Sequence, residues 1–360
     1  MKYTVTFEKR MEGTSGSILG MRLLALAVSV GVSALLLWAL GYGEKLAQIL
    51  KTMFINPIFT EYGILDTIAK STPLIITSVG VAVAFKMKLW NIGAEGQIAM
   101  GAFAATGICM LFPALPAYLL IPLMMTAGMA AGALWGLLAA APRALWGVNE
   151  TIITLMLNYV AALWLQYLIT GPWRDPAQKA FPMAAQISKN GWFPKLPGTD
   201  IHLGLLVGVI LVVLFAVFIN WSKWGYEVRA IGESPKAARY AGMNVTSQIL
   251  VVMAVSGAIA GLAGVSELAG VSQRIESGIS GGYGFTAVII AWLARLNPVA
   301  LVAMSLLMGA LLTGGVYLRA MGISAALSQV IEGVILFFVL GLDFVTRYKL
   351  VVKRREEKKA

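Results

Sequence analysis

From Gly96 to Pro142 the chain runs 47 residues without one Asp, Glu, Lys or Arg. A bilayer core about 30 Å thick takes roughly 20 apolar residues as helix, so a run of this length makes two crossings. Pro113 and Pro116, on either side of Ala114 and Leu115, mark the turn between them. Composition agrees: 59% of the residues are hydrophobic and 12% charged, against about 45–50% and about 25% in soluble domains. So few charges cannot cover a water-facing surface. A soluble enzyme is excluded, and a multi-span membrane protein is the reading that remains.

The same criterion places further spans at Leu23–Gly43, Ser71–Phe85, Thr151–Trp173, Ile201–Trp221, Ser247–Ser266, Gly284–Ala294, Pro298–Leu318 and Met321–Leu342. About ten crossings result, the one at Gly284–Ala294 being short. Residues 44–70 carry Lys45, Lys51, Glu61 and Asp66 and read as interfacial. The organisation expected is an N-terminal tail (1–22), one membrane domain (23–343) and a basic tail (344–360). Within the domain, 174–200 is an outer loop and 222–246 an inner one. With ten spans and the N-terminus inside, 19 of the 28 basic residues fall on the inner side. That bias places both termini in the cytoplasm, and it explains the net charge of +11 without nucleic acid. Cys109 is the sole cysteine and His202 the sole histidine, so neither a disulfide nor a His-based metal cluster can be built.

Lipid gives helices no hydrophobic reason to associate, so small residues must let their backbones approach. Gly128, Gly132 and Gly136 stand four apart, and Gly257, Gly261 and Gly264 form a second ridge. Polar residues at membrane depth are costly and face a cavity or a partner helix. The densest group is Trp90-Asn91-Ile92-Gly93-Ala94-Glu95-Gly96-Gln97. It reads either as a broken-helix element on a solute path, or as a helix start that Asn91 caps and whose dipole Glu95 meets. Asn149 and Glu150 suit the start of the fifth span. Asn158, two turns further in and beside Tyr159, either bonds across to another helix or lines a pore. Glu267 and Glu332 are either the carboxylates that a proton-coupled carrier would use or lone acids paired with a Ser, Thr or Arg from a neighbour.

Ser234 suits an N-cap, Pro235 the first helical position and Gly242 a left-handed stop, so Gly232–Gly242 predicts a two-turn helix on the inner side. So short a helix must dock, either on its own bundle or in a partner's groove, through Ala237, Ala238 and Ala241. No phosphate-binding Gly-x-x-x-x-Gly-Lys-[Ser/Thr] loop occurs, so this chain is not expected to hydrolyse ATP itself. Neither catalytic residues nor a metal site is expected.

The block Asn91-Ile92-Gly93-Ala94-Glu95-Gly96-Gln97 resembles the signature of the ABC-importer permeases that handle branched-chain amino acids and simple sugars. Asn149-Glu150-Thr151-Ile152-Ile153-Thr154-Leu155-Met156-Leu157-Asn158-Tyr159 is similar to the branch serving nucleosides. So are Gly171-Pro172-Trp173-Arg174-Asp175-Pro176 and Gly282-Tyr283-Gly284-Phe285. Thr151 departs from the usual aliphatic. The resemblance covers about Ser71 to Leu342. It implies an all-α polytopic permease of type II, vitamin B12-importer-like architecture in a bacterial or archaeal cell membrane, importing nucleosides. The partners it implies are a second, different permease, an ABC ATPase that binds ATP and Mg, and a substrate-binding lipoprotein, with no cofactor on this chain. It favours a path role for Asn91, Glu95 and Gln97, and the stacking and amide bonding that a nucleoside needs add Trp90, Asn158 and Tyr159 as candidates for the solute path. It also makes Gly232, Glu233, Ser234, Lys236, Ala237, Ala238, Arg239, Tyr240 and Gly242 the coupling segment. Simple sugars or branched-chain amino acids are the alternative cargo, and a proton-coupled carrier the alternative class.

Overall fold

A computed structural model describes residues 3–9, 27–177 and 183–354. Of the sequence expectations, most of the 1–22 tail, the start of the first span at Leu23, residues 178–182 of the outer loop and the end of the basic tail lie outside the described residues. The helices in chain order are α1 (Ala27–Phe59), α2 (Glu61–Lys86), α3 (Ala94–Leu111), α4 (Ala117–Trp146), α5 (Glu150–Thr170) and α6 (Gly204–Trp221). Two short ones follow, α7 (Lys223–Glu233) and α8 (Pro235–Tyr240). Then come α9 (Val245–Ser272), α10 (Tyr283–Leu293), α11 (Pro298–Ala320) and α12 (Ala325–Arg347).

Among the described residues eight helices are long and apolar enough to cross a membrane: α1 to α6, α9 and α11. The other two stretches in the sequence count form shorter apolar helices, α10 and Ala325–Phe338 of α12. Residues 44–70, read as interfacial from their charges, are helical apart from Thr60. α1 kinks at Gly41 (φ 89°) and continues to Phe59, and α2 starts ten residues before Ser71. Thr60 caps α2, its hydroxyl accepting from Gly63 N at 3.1 Å. Pro73 inside α2 removes one donor from the helix ladder. Around it, hydroxyls bond back to the chain: Ser71 to Thr67 O, Thr72 to Ile68 O and Thr77 to Pro73 O.

One feature departs from an all-α chain. Tyr3–Lys9 (β1) and Tyr348–Arg354 (β2) pair as an antiparallel ribbon, Tyr3 opposite Arg354 and Lys9 opposite Tyr348. Both segments sit in regions read as tails from their charge. The alternation of YTVTFEK and the Leu-Val-Val run of YKLVVKR suit strands.

The chain divides into two compact units, residues 60–310 and the remainder. In the second, Leu37, Ile49, Met53, Leu318, Ile323, Leu327, Ile331 and Ile335 form the core. Residues 60–310 are built around α9, packed against α2, α3 and α4. The two glycine ridges meet there. A Cβ on Gly132 would overlap the Gly257 carbonyl, one on Gly261 the Gly128 carbonyl, and one on Gly101 of α3 the Gly261 carbonyl. Three backbones thus touch where side chains would have kept them apart.

Candidate functional site

α2 ends at Lys86, and α3 does not begin until Ala94. The linking residues turn inward among the helices. Trp90 N donates to Glu150 Oε1 at 3.1 Å, beside the inter-residue ion pair of Arg143 Nε with Glu150 Oε2 at 3.2 Å. Trp90 therefore sits level with the start of α5. Asn158 is eight residues further along α5, about 12 Å at 1.5 Å per residue. It meets the start of α3: its Oδ1 accepts from Gly96 N at 2.9 Å and its Nδ2 donates to Ile92 O at 3.0 Å. α3 thus begins inside the bundle, about a third of the way along α5.

A helix that starts there leaves N–H groups with no water to bond, and each must find a protein partner. Asn91 Oδ1 accepts from Gly93 N at 3.1 Å and from Gln97 Nε2 at 3.2 Å. Asn91 Nδ2 donates to Gln97 Oε1 at 3.0 Å and to Ser256 Oγ of α9 at 2.8 Å. Asn91, Gln97 and Asn158 are all buried and form one polar frame with Ser256. Gly93 is the N-cap residue, and Asn91 acts on it from two residues upstream.

Glu95 does not stay with its own helix. Its Oε1 accepts from Gly282 N at 2.9 Å and its Oε2 from Gly284 N at 2.8 Å, so it caps the start of α10. Two helix N-termini therefore meet inside the bundle with one carboxylate between them, an arrangement that both dipoles favour. The structure thus brings Asn91, Glu95, Gln97 and Asn158 together. Trp90 lies at the edge, 42% exposed, its ring 5.0 Å from Phe85 and 5.6 Å from Trp292 of α10. Tyr159, next to Asn158 on α5, is exposed. Sequence reasoning missed Ser256, Arg143 and the amides of Gly282 and Gly284 as partners. The block Gly282–Phe285 was visible only as a family marker.

At the same end as Lys86, the basic segment forms α7 and α8. Ser222 and Ser234 cap them, accepting from Gly225 N and Ala237 N. Gly242 takes φ 80°, the left-handed stop. Gly232 is buried against the Lys86 carbonyl and Met87. Ala238, expected on a docking face, is 3% exposed and packs into its own chain. Only the turn geometry decides which alanine of a two-turn helix faces inward. Lys236, Ala237, Arg239, Tyr240 and Ala241 face out, Tyr240 at 95% exposure, and Glu233 pairs with Lys88 at 3.4 Å.

Of the remaining carboxylates, Glu267 is buried on α9, and Glu332 accepts from Ser328 of its own helix at 3.3 Å. His202 lies just before α6. Its Nδ1 accepts from Gly204 N at 3.1 Å, and Nε2 is buried without a partner. Burial, and then Lys195, push the imidazole down to about 4 against an upward pull from Asp200.

A family model described as branched-chain amino acid transport system, permease component, matches residues 63–340. The chain is 36% identical over 310 residues to the glucose ABC transporter permease protein TsgB13 of Haloferax volcanii, covering 83% of this chain and 81% of the relative. It is 33% identical over 322 residues to the guanosine ABC transporter permease protein NupP of Bacillus subtilis, covering 88% and 91%. With the nucleoside ABC transporter permease protein NupB of Lactococcus lactis it shares 29% identity over 326 residues, covering 88% and 89%.

Proposed function

Because the chain belongs to the branched-chain amino acid transport system permease family, we propose that it is the membrane-spanning subunit of an ATP-driven nucleoside importer. The observation that carries the cargo is the near full-length match to NupP. α10 and α12 join the eight long helices to make about ten crossings in a type II, vitamin B12-importer-like arrangement. The Lys86 end of the bundle is cytoplasmic by the positive-inside bias, as are both termini.

A nucleoside is neutral, with a planar base and a hydroxylated sugar, and is held by ring faces and hydrogen bonds more than by counter-charge. Trp90, beside the tilted ring of Trp292 and half open, supplies the ring face at the inner mouth. Tyr159, exposed on α5, supplies a second. Asn91, Glu95, Gln97 and Asn158 have their hydrogen-bonding groups engaged with one another and with backbone. They act on the path by holding the starts of α3 and α10 in place.

The partners are a second, different permease, a substrate-binding lipoprotein outside and an ABC ATPase below that binds ATP and Mg. Drive reaches this chain through α8. Its outward face, Lys236, Ala237, Arg239, Tyr240 and Ala241, enters the ATPase, while Gly232 and Ala238 seat the helix on the bundle. Glu233, Ser234 and Gly242 fix its ends. A push on this rigid element moves helices packed through glycine contacts.

A simple-sugar cargo is favoured by the similarity to TsgB13, so the test is comparative. The four components are reconstituted in liposomes and uptake of labelled guanosine and glucose is measured with ATP inside. Guanosine uptake that needs ATP and the ATPase is the expected result. Glucose uptake alone assigns the sugar, and uptake by this chain alone under a proton gradient refutes the importer. Tyr240→Asp should leave ATP hydrolysis intact and reduce uptake about tenfold by uncoupling the two. Unchanged uptake would remove α8 from the coupling path.

A further inference from the structure

Glu95 is fixed to α3, yet its carboxylate accepts from Gly282 N and Gly284 N, 187 and 189 residues away. The Ser280 hydroxyl and the Phe285 N–H lie toward the same group. Gly284 has no room for a side chain, since a Cβ there would overlap the Glu95 backbone. α10 is thus fastened at its first turn by one side chain and one bare backbone contact.

What precedes that turn is built to rotate. Gly278, Gly281 and Gly282 take φ of 82°, 54° and 77°, a region that other residues rarely enter. Space is open around Gly278 and Gly282, where an added Cβ would meet nothing within 4 Å. A glycine hinge therefore leads directly into a point held by one carboxylate. Amides of this kind can be satisfied in two ways. They bond the carboxylate while the site is dry, and water when a path opens beside them.

We propose that Glu95 is a positioning residue for transport: its carboxylate latches the membrane-embedded start of α10 onto α3, and the cycle opens that latch so that α10 turns on the glycines at 278, 281 and 282. The inference rests on the permease reading above. Trp292 rides on α10, so release of the latch also shifts the ring that packs, tilted by 30°, against Trp90.

The test is hydrogen exchange of the peptide spanning residues 279–286, in the assembled complex in lipid nanodiscs, at rest and trapped with ADP and vanadate. Wild type should exchange slowly at rest and about tenfold faster when trapped. Glu95→Gln presents one acceptor oxygen and a competing amide donor, so it should exchange fast in both states. It should also lose the stimulation of ATP hydrolysis by loaded binding protein, and Glu95→Asp should partly restore both readouts. Wild-type exchange that ignores the nucleotide state overturns the latch, as does a Glu95→Gln complex that exchanges like wild type. If the wild-type complex meets the exchange result but moves no nucleoside, the latch stands and the cargo assignment falls. Transport without state-dependent exchange does the reverse.

Discussion

Gly261 stands where α3, α4 and α9 touch, and adding one methyl there is a sharp test of how this bundle is held. A Cβ at Gly261 would overlap the Gly128 carbonyl and lie 3.1 Å from Gly132 Cα. Comfortable carbon contacts fall near 3.5–4.0 Å, so the backbones of α4 and α9 must separate by roughly 0.5–1 Å. Both obstacles are main chain and cannot rotate aside. A gap of that size forfeits a quarter to a half of each affected contact, and overpacking of this kind costs about 1–3 kcal/mol. Alanine returns about 1 kcal/mol through its better helix propensity. Gly261→Ala should therefore destabilise by up to about 2 kcal/mol net. Gly333, inside α12 with nothing within 4 Å of its Cβ position, is the control. There the same substitution should stabilise by up to about 1 kcal/mol. Reversible unfolding in mixed micelles measures both. Shifts of the same sign, or a Gly261→Ala chain as stable as wild type, would show that close backbone approach is not what holds α9 in place.

Asn158→Leu strands the Gly96 N–H and the Ile92 carbonyl away from water, which should cost about 2–6 kcal/mol at about 1–3 per group. In the same unfolding assay stability should drop while solute affinity stays within about twofold. Altered affinity at wild-type stability would make Asn158 a contact residue instead. For His202 the sign follows from linkage: the unfolded imidazole titrates near 6.5 and the folded one at about 4. Between those values the unfolded chain binds more protons, so stability is full above about pH 6.5 and is lost as pH falls toward 4, by about 3 kcal/mol in total. His202→Gln should flatten that slope between pH 7 and 4. A slope identical to that of wild type would mean that other groups set the acid sensitivity.

The long apolar runs were legible because a bilayer leaves a spanning segment little choice but helix. The glycine ridges were legible because helices in lipid need small residues to associate. Residues 44–70 were read as interfacial from Lys45, Lys51, Glu61 and Asp66, and those charges hid how far the helices on either side of Thr60 run. Thr60 followed by Glu61, a helix-start pattern, marked the beginning of α2. The ribbon of β1 and β2 was hidden in the same way, its alternation masked by lysines and arginines. Ala238 shows another limit. A two-turn helix has too few residues for its pattern to say which face turns inward.

The polar block from Asn91 to Gln97 was read as either a path or a helix start, and the geometry explains why sequence could not separate the two. A helix that begins inside a span needs acceptors for its first N–H groups, and these come from Asn91 and from Asn158 on α5. The same residue types would serve a solute, so composition alone is ambiguous. Distance along the chain decides the matter for Glu95. No local rule predicts a partner 187 residues away, yet that partner turns a first-turn acid into a tie between two helices. Each member of the frame therefore carries a structural role before any transport role. Loss of uptake in a variant here is informative only beside its stability, and that requirement separates a residue that holds the path open from one that touches what passes through it.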